Sequence, residues 1–334
     1  MKGRVEHQTI TSIILKSNPL GDPAEREFPV YLPPSYDGKK QFPVIYLLAG
    51  FASTGVSFLN YKFGRLTLPE QIDELIVSSK MPEAIVVMPD CMTRFGGSQY
   101  LNSPAFGNYE DYLIEELLPW VEQTYCTLPN KRIVAGKSSG GFGALHLAMN
   151  HPGIFSAAAS HSGDMNFELC YAPDFPHVSR VLESFNYDLK AFFRNYQQAK
   201  KKPGNAFGVI NIVGMAAAYS PDPSKAYPEN VELPFDLYTL ERKNAIWEKW
   251  LAKDPLVQIE TPAKQKALKA LDGLFIDCGA QDEFNLQFGA RQFCNKLKAF
   301  AIEHTYEEFP DNHMDTSYRY DVSLPKLLLN TLNN

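Results

Sequence analysis

Five consecutive residues, Gly136-Lys137-Ser138-Ser139-Gly140, match the pattern Gly-x-Ser-x-Gly. In that pattern a serine sits on a strained turn between a strand and a helix, and its Oγ projects above the sheet as a nucleophile. The surroundings suit it. Arg132-Ile133-Val134-Ala135 reads as a strand ending at Gly136, and a helix is predicted over Phe142 to Met149. Glycines two before and two after Ser138 let neighbouring backbone pass without a Cβ clash. Ser139 is a rival nucleophile, but centring the pattern on it puts Lys137 where the first glycine belongs. A phosphate-binding loop is disfavoured, because Gly-x-x-x-x-Gly-Lys-Ser is absent.

A serine nucleophile needs a base, and the base needs a carboxylate to hold its tautomer. In a strand–turn–helix setting of this kind the chain order is Ser, then Asp or Glu, then His. Of seven histidines, His313 lies in the polar loop Phe309-Pro310-Asp311-Asn312-His313-Met314-Asp315, between the last predicted strand and the last predicted helix. It is the expected base. His161 is the competitor, since it also follows a strand. For the acid, Asp282 stands in the turn Gly279-Ala280-Gln281-Asp282-Glu283 after the strand Leu274 to Cys278. Glu283 and Asp277 are the alternatives. Two backbone amides should stabilise an oxyanion: that of Ser139, directly after the nucleophile, and that of Phe51, after Gly50 in Leu47-Leu48-Ala49-Gly50-Phe51.

The elements that must position these residues follow from hydrophobic patterning. Val5 to Leu15 and Arg26 to Leu32 suit a hairpin. Phe42 to Leu48 and Ala84 to Met88 are nearly continuous apolar runs, as in strands covered on both faces. Further strands are expected near Phe155 to Ala159 and Thr305 to Glu308. Helices are expected over Pro69 to Ser78, Tyr109 to Tyr125, Phe284 to Phe300 and Thr316 to Leu332. Strands alternating with helices predict an α/β fold with a mostly parallel sheet covered on both faces. Such sheets bind ligands at the carboxyl ends of their strands. Residues 165–271 carry no strong strand signal, only aromatic, Pro-rich and helical stretches. We expect a helical cap insertion there, between core segments 1–164 and 272–334. Most of its aromatics should form its own core and a minority should line a pocket.

Composition narrows the functional classes. The chain has 334 residues, a net charge of −6 and no dense basic run beyond Lys200-Lys201-Lys202, which disfavours nucleic acid as a partner. Five scattered cysteines suit reduced, buried thiols better than disulfides or a zinc site. No signal-peptide pattern and no membrane-spanning stretch is recognised, so a cytoplasmic location is expected.

Several motifs together resemble the putative-esterase family of α/β-hydrolases, which includes S-formylglutathione hydrolase, enterochelin esterase-like and feruloyl esterases and the antigen-85 mycolyltransferases. They are Val30-Tyr31-Leu32-Pro33-Pro34-Ser35-Tyr36, Pro43 to Gly50, Val86-Val87-Met88-Pro89-Asp90, Tyr109-Glu110-Asp111-Tyr112 with Glu115 to Pro119, and the Ser138 turn with its extra Gly141. The resemblance implies the α/β-hydrolase fold and a hydrolase of carboxylic esters or thioesters that uses neither metal nor cofactor. It places Ser138, Asp282 and His313 on the family's triad positions. Many members have His-Gly where this chain has Ala49-Gly50, and the insertion is longer than in compact members. The expected function is a serine carboxylesterase acting on a small-molecule ester, with aryl or hydroxycinnamoyl esters among its candidate substrates. Acyl transfer by the same triad and a non-catalytic binding role are the alternatives.

Overall fold

The structure, a computed structural model, describes residues 1–333. Ten strands run in chain order: β1 (Arg4–Thr11), β2 (Glu25–Leu32), β3 (Phe42–Leu48), β4 (Ile85–Val87), β5 (Asn102–Ser103), β6 (Gly107–Asn108), β7 (Thr127–Lys137), β8 (Ala157–His161), β9 (Gly273–Gly279) and β10 (Thr305–Phe309). All but β5 and β6, which form a small separate ribbon, join one sheet of order β1-β2-β4-β3-β7-β8-β9-β10. The β1–β2 and β2–β4 pairs are antiparallel, and the other neighbours in that sheet, from β4 through β3, β7, β8 and β9 to β10, pair in parallel. This is the α/β-hydrolase fold.

The apolar runs explain the layers. Alternate residues of a strand face opposite sides. Val44, Tyr46 and Leu48 of β3 enter one apolar cluster, whereas Ile45 and Leu47 enter the other. Helices α1 (Leu68–Val77), α2 (Tyr109–Asp111), α3 (Leu118–Thr124) and α4 (Ser139–Asn150) precede the insertion. The insertion carries α5 (Phe167–Cys170), α6 (Phe175–Glu183), α7 (Leu189–Gln198), α8 (Ala206–Tyr219), α9 (Asn244–Leu251), α10 (Pro255–Gln258) and α11 (Pro262–Lys269), and α12 (Leu286–Ala299) and α13 (Tyr320–Asn333) follow. Side chains of α1 and α13 cover the Ile45 face, and those of α3, α4 and α12 cover the Val44 face.

Residues 165–271 fold onto that second face. Their interior is aromatic, with Phe175 and Phe235 stacked at 4.3 Å and Trp247 and Trp250 alongside. These side chains belong to the same continuous cluster as the sheet face. The Asp254 carboxylate ties the segment's start, accepting from the amides of Asn166 (3.1 Å) and Phe167 (2.7 Å).

Several element bounds shift from expectation, and two of the departures have a visible cause. β1 ends at Thr11 rather than Leu15, because the Glu116 carboxylate accepts from Ser12 Oγ and from the Ile13 (2.8 Å) and Ile14 (3.0 Å) amides. Those amides are thereby turned out of the β-ladder. The helix predicted over Tyr109 to Tyr125 contains a π segment, Tyr112–Leu117. Pro119, just downstream, has no N–H to continue the α-helical bonding.

Candidate active site

Ser138 lies where β7 gives way to α4, near the middle of the sheet at its carboxyl edge. Its backbone has φ 59° and ψ −126°, a region that L-residues rarely occupy. The neighbouring packing imposes this. A Cβ on Gly136 would lie 2.4 Å from the Gly140 carbonyl, and one on Gly140 would lie 2.1 Å from the Leu48 carbonyl oxygen. Only glycines let β3, β7 and the first turn of α4 approach so closely. The Ser138 amide donates to His161 O at 2.9 Å, and its carbonyl accepts from the Phe142 amide at 2.9 Å.

His313 reaches the same cavity from the loop after β10. Its Nδ1 stands 2.7 Å from Asp282 Oδ2, and both side chains are buried. With Nδ1 engaged, Nε2 is the nitrogen left for proton exchange. Asp282 is held in turn: its Oδ1 accepts from the Phe284 amide (3.0 Å), and Cys278 Sγ lies 3.7 Å from Oδ2. Glu283 grips the His313 backbone instead, its Oε2 accepting from the His313 amide at 2.8 Å. The Phe284 ring packs edge-on against the imidazole at 4.8 Å.

The rival residues have other partners. His161 Nδ1 is 2.8 Å from Asp277 Oδ1 and its Nε2 is 2.8 Å from Ser323 Oγ, all buried. Asp277 Oδ2 also accepts from Arg319 Nε at 2.8 Å. Both nitrogens of His161 are therefore committed to a network between the sheet and α13. Ser139 is buried, with its Oγ 3.4 Å from Asp164 Oδ2.

Ser139 is the first residue of α4, so its N–H has no acceptor within the helix. In the loop after β3, the Ala52 amide donates to Gly96 O (2.7 Å) and the Ser53 amide to Gly50 O (3.1 Å), whereas the Phe51 N–H has no backbone acceptor among the described residues. A Cβ on Gly50 would come within 3.6 Å of Ser138 Cβ, so this loop runs close beside the serine. Tyr100 OH anchors it by donating to Ala49 O at 2.6 Å.

Ser138 and His313 line a cavity of about 410 Å³. Phe51, Phe207 and Phe284 supply aromatic walls. Three charged residues that the sequence pattern did not single out for a role also line it: Lys137, Asp164 and Asp315, the last paired with Arg65 at 2.9 Å. The Lys137 side chain has no ion pair or hydrogen bond among the described residues. Burial pushes its amine below the usual lysine range, against the nearby Asp282 and Asp315 carboxylates. Asp164 is raised above the usual carboxylate range by burial, against hydrogen bonds from Tyr171 and Gln99. A charged residue in the small-residue run Ser162-Gly163-Asp164, just past the end of a strand, was the available signal. Among the described residues no group of three His, Cys, Asp or Glu side chains is arranged to hold a metal ion, and no helix is long and apolar enough to cross a membrane.

Residues 20–328 match the family described as "Putative esterase". A protein named as an esterase in Mycobacterium tuberculosis is 34% identical over 142 residues, which cover 40% of this chain but only 28% of that protein. Mouse S-formylglutathione hydrolase is 28% identical over 151 residues, covering 43% of this chain and 53% of its own length. Among solved structures, a ferulic acid esterase superposes with a TM-score of 0.64 at 19% identity, covering 99% of this chain and 100% of its own. An S-formylglutathione hydrolase from Agrobacterium tumefaciens superposes with a TM-score of 0.57 at 19% identity, covering 99% and 95%.

Proposed function

The chain belongs to the putative esterase family, and on that footing we propose that it is a serine carboxylesterase with Ser138 as nucleophile, His313 as base and Asp282 as the orienting carboxylate. The observation that carries this is the 2.7 Å His313–Asp282 pair opening on the same cavity as a serine held at φ 59°. Ser138 Oγ attacks the acyl carbon while its proton passes to His313 Nε2. The Phe51 and Ser139 amides hold the oxyanion. His313 then gives the proton to the departing alcohol, and water, deprotonated by the same imidazole, releases the acid from Ser138. A thiol leaving group would follow the same course.

Residues 165–271 act in this reading as a cap on the core formed by 1–164 and 272–334. They supply Cys170, Tyr171, Phe207 and Asn211 to the cavity. With Phe51 and Phe284 opposite in origin, in the core segments, such walls suit an aryl acyl group. A fluorophosphonate is expected to label Ser138, and Ser138→Ala should abolish both labelling and ester turnover. Undiminished hydrolysis of a p-nitrophenyl ester by that variant would refute the assignment.

A further inference from the structure

The cavity beside Ser138 contains a carboxylate for which the hydrolytic steps have no use. Asp164 follows β8 and is only 6% exposed, yet it lines the cavity. Its hydrogen bonds are one-sided. Oδ2 accepts from the Tyr171 hydroxyl (2.8 Å), the Gln99 amide (3.1 Å) and the Ser139 hydroxyl (3.4 Å), whereas Oδ1 accepts from nothing among the described residues. A carboxylate has about four acceptor sites. Holding this part of the fold together uses one oxygen and leaves the other for whatever fills the cavity.

The side that is satisfied is firmly built. Gln99 Nε2 also donates to the Tyr219 hydroxyl at 2.9 Å, and the Tyr171 and Tyr219 hydroxyls lie 3.4 Å apart. Gln99 and Tyr100 both have positive φ, 50° and 57°, a strain that the surrounding packing sustains. Asp164 has no cationic partner. Lys137, unpaired, lines the same cavity and disfavours a second cation there. Asn211 from α8 is 8% exposed, lines the cavity, and has no side-chain hydrogen bond among the described residues. The cavity therefore pairs aromatic walls with a free acceptor and an uncommitted amide. The complementary ligand is neutral and donates a hydrogen bond.

We propose that Asp164 is a specificity-determining residue whose Oδ1 accepts a hydrogen bond from a hydroxyl on the acyl part of the substrate, so that esters of hydroxylated acids are favoured. The inference rests on the reading of Ser138 as the acylated nucleophile. A carboxylate can accept from a hydroxyl but can offer nothing to a methyl ether. The isosteric Asp164→Asn removes that preference. Its carbonyl must stay with the Tyr171 and Gln99 donors, which turns its NH₂ into the place of Oδ1. An NH₂ donates to a hydroxyl and to a methoxy oxygen alike.

The test compares kcat/KM for two matched pairs of methyl esters, 4-hydroxycinnamate against 4-methoxycinnamate and 3-hydroxybutyrate against 3-methoxybutyrate. The wild type should favour the hydroxylated member of one pair by about 10- to 100-fold, as expected for a hydrogen bond to a charged group. Which pair responds tells how far from the acyl carbon the hydroxyl is bound. In Asp164→Asn the ratio should fall to within about three-fold. Ester turnover with no preference in either pair, or a preference that survives the substitution, overturns this inference alone. The wild-type ratios decide the first of these even if the variant does not fold. No turnover of any ester, or turnover that persists in Ser138→Ala, strikes the underlying esterase reading instead and this inference with it.

Discussion

Replacing Asp282 by Asn tests the proposed triad at its most specific point. Asp282 is 3% exposed, with Oδ1 taken by the Phe284 amide and Oδ2 by His313 Nδ1. An asparagine of the same shape must keep its carbonyl on the Phe284 N–H, so its NH₂ faces Nδ1. That group can only donate. Nδ1 then has to be the acceptor, and the ring proton moves to Nε2, the nitrogen that must take the proton of Ser138. The stabilisation of the developing imidazolium is lost as well. The corresponding change in a serine protease triad costs about 10⁴ in kcat, which at about 1.4 kcal/mol per decade is roughly 5 kcal/mol of transition-state stabilisation. The ring itself should stay in place, because Glu283 holds the His313 amide at 2.8 Å and Phe284 packs against the imidazole. We therefore expect Asp282→Asn to lower kcat for a p-nitrophenyl ester by about 10³–10⁴ with KM changed only a few-fold and the melting temperature nearly unaltered. Steady-state kinetics alongside a thermal melt would check this. A fall in kcat of less than about ten-fold, or a larger loss in Glu283→Gln, would refute the reasoning.

Further perturbations separate site from scaffold. Gly140→Ala would drive a Cβ to 2.1 Å from Leu48 O; we expect insoluble or unlabelled protein, and normal fluorophosphonate labelling would contradict the close approach. Asp277→Ala removes the carboxylate that buried His161 and Arg319 share, leaving them only Ser323 and Glu307, and should cost about 3–5 kcal/mol in a denaturant titration. Ser138 should still be labelled below the transition, which distinguishes this network from a catalytic one. Burial alone would raise the Glu110 carboxyl, but hydrogen bonds from His146 (3.0 Å) and His151 (2.7 Å) outweigh it and hold it well below the usual range. A carboxyl depressed on folding stabilises above its unfolded value and loses that contribution as pH falls. Glu110→Gln should thus be less stable than wild type by about 2–3 kcal/mol at pH 7, with the gap narrowing below about pH 4.5; a gap independent of pH would exclude the hydrogen-bonded carboxylate as its source.

What the sequence determined by itself was local. A serine between two glycines, after an apolar strand and before a helix, has few backbone solutions. The contact that demands Gly136, against Gly140 four residues on, is a property of the chain within a few residues, whereas Gly140 is demanded by Leu48 on the neighbouring strand. The alternation of Val44, Tyr46 and Leu48 with Ile45 and Leu47 likewise assigns β3 to the middle of a covered sheet before any contact is known. Chain order then narrows the base and acid to a handful of residues.

Tertiary structure decided which members of that handful meet. The folded chain brings Ser138 and His313 to one cavity, with Asp282 buried behind His313, and joins Ser323, His161 and Asp277 in a network sealed beneath α13. His161 ends β8 and His313 follows β10, and both carboxylates lie on or just after β9, so the sequence ranks the two sets only by their expected place in a loop or a strand. Their fates diverge because the sheet has two faces and a carboxyl edge. One loop opens at that edge, while the packing of α13 buries the other set. The same holds for Asp164, whose one oxygen is left free while Tyr171, seven residues on, and the more remote Gln99 and Ser139 all converge on the other. Short-range sterics can be read along a chain, but which polar groups are paired and which are left free depends on contacts among residues remote in sequence.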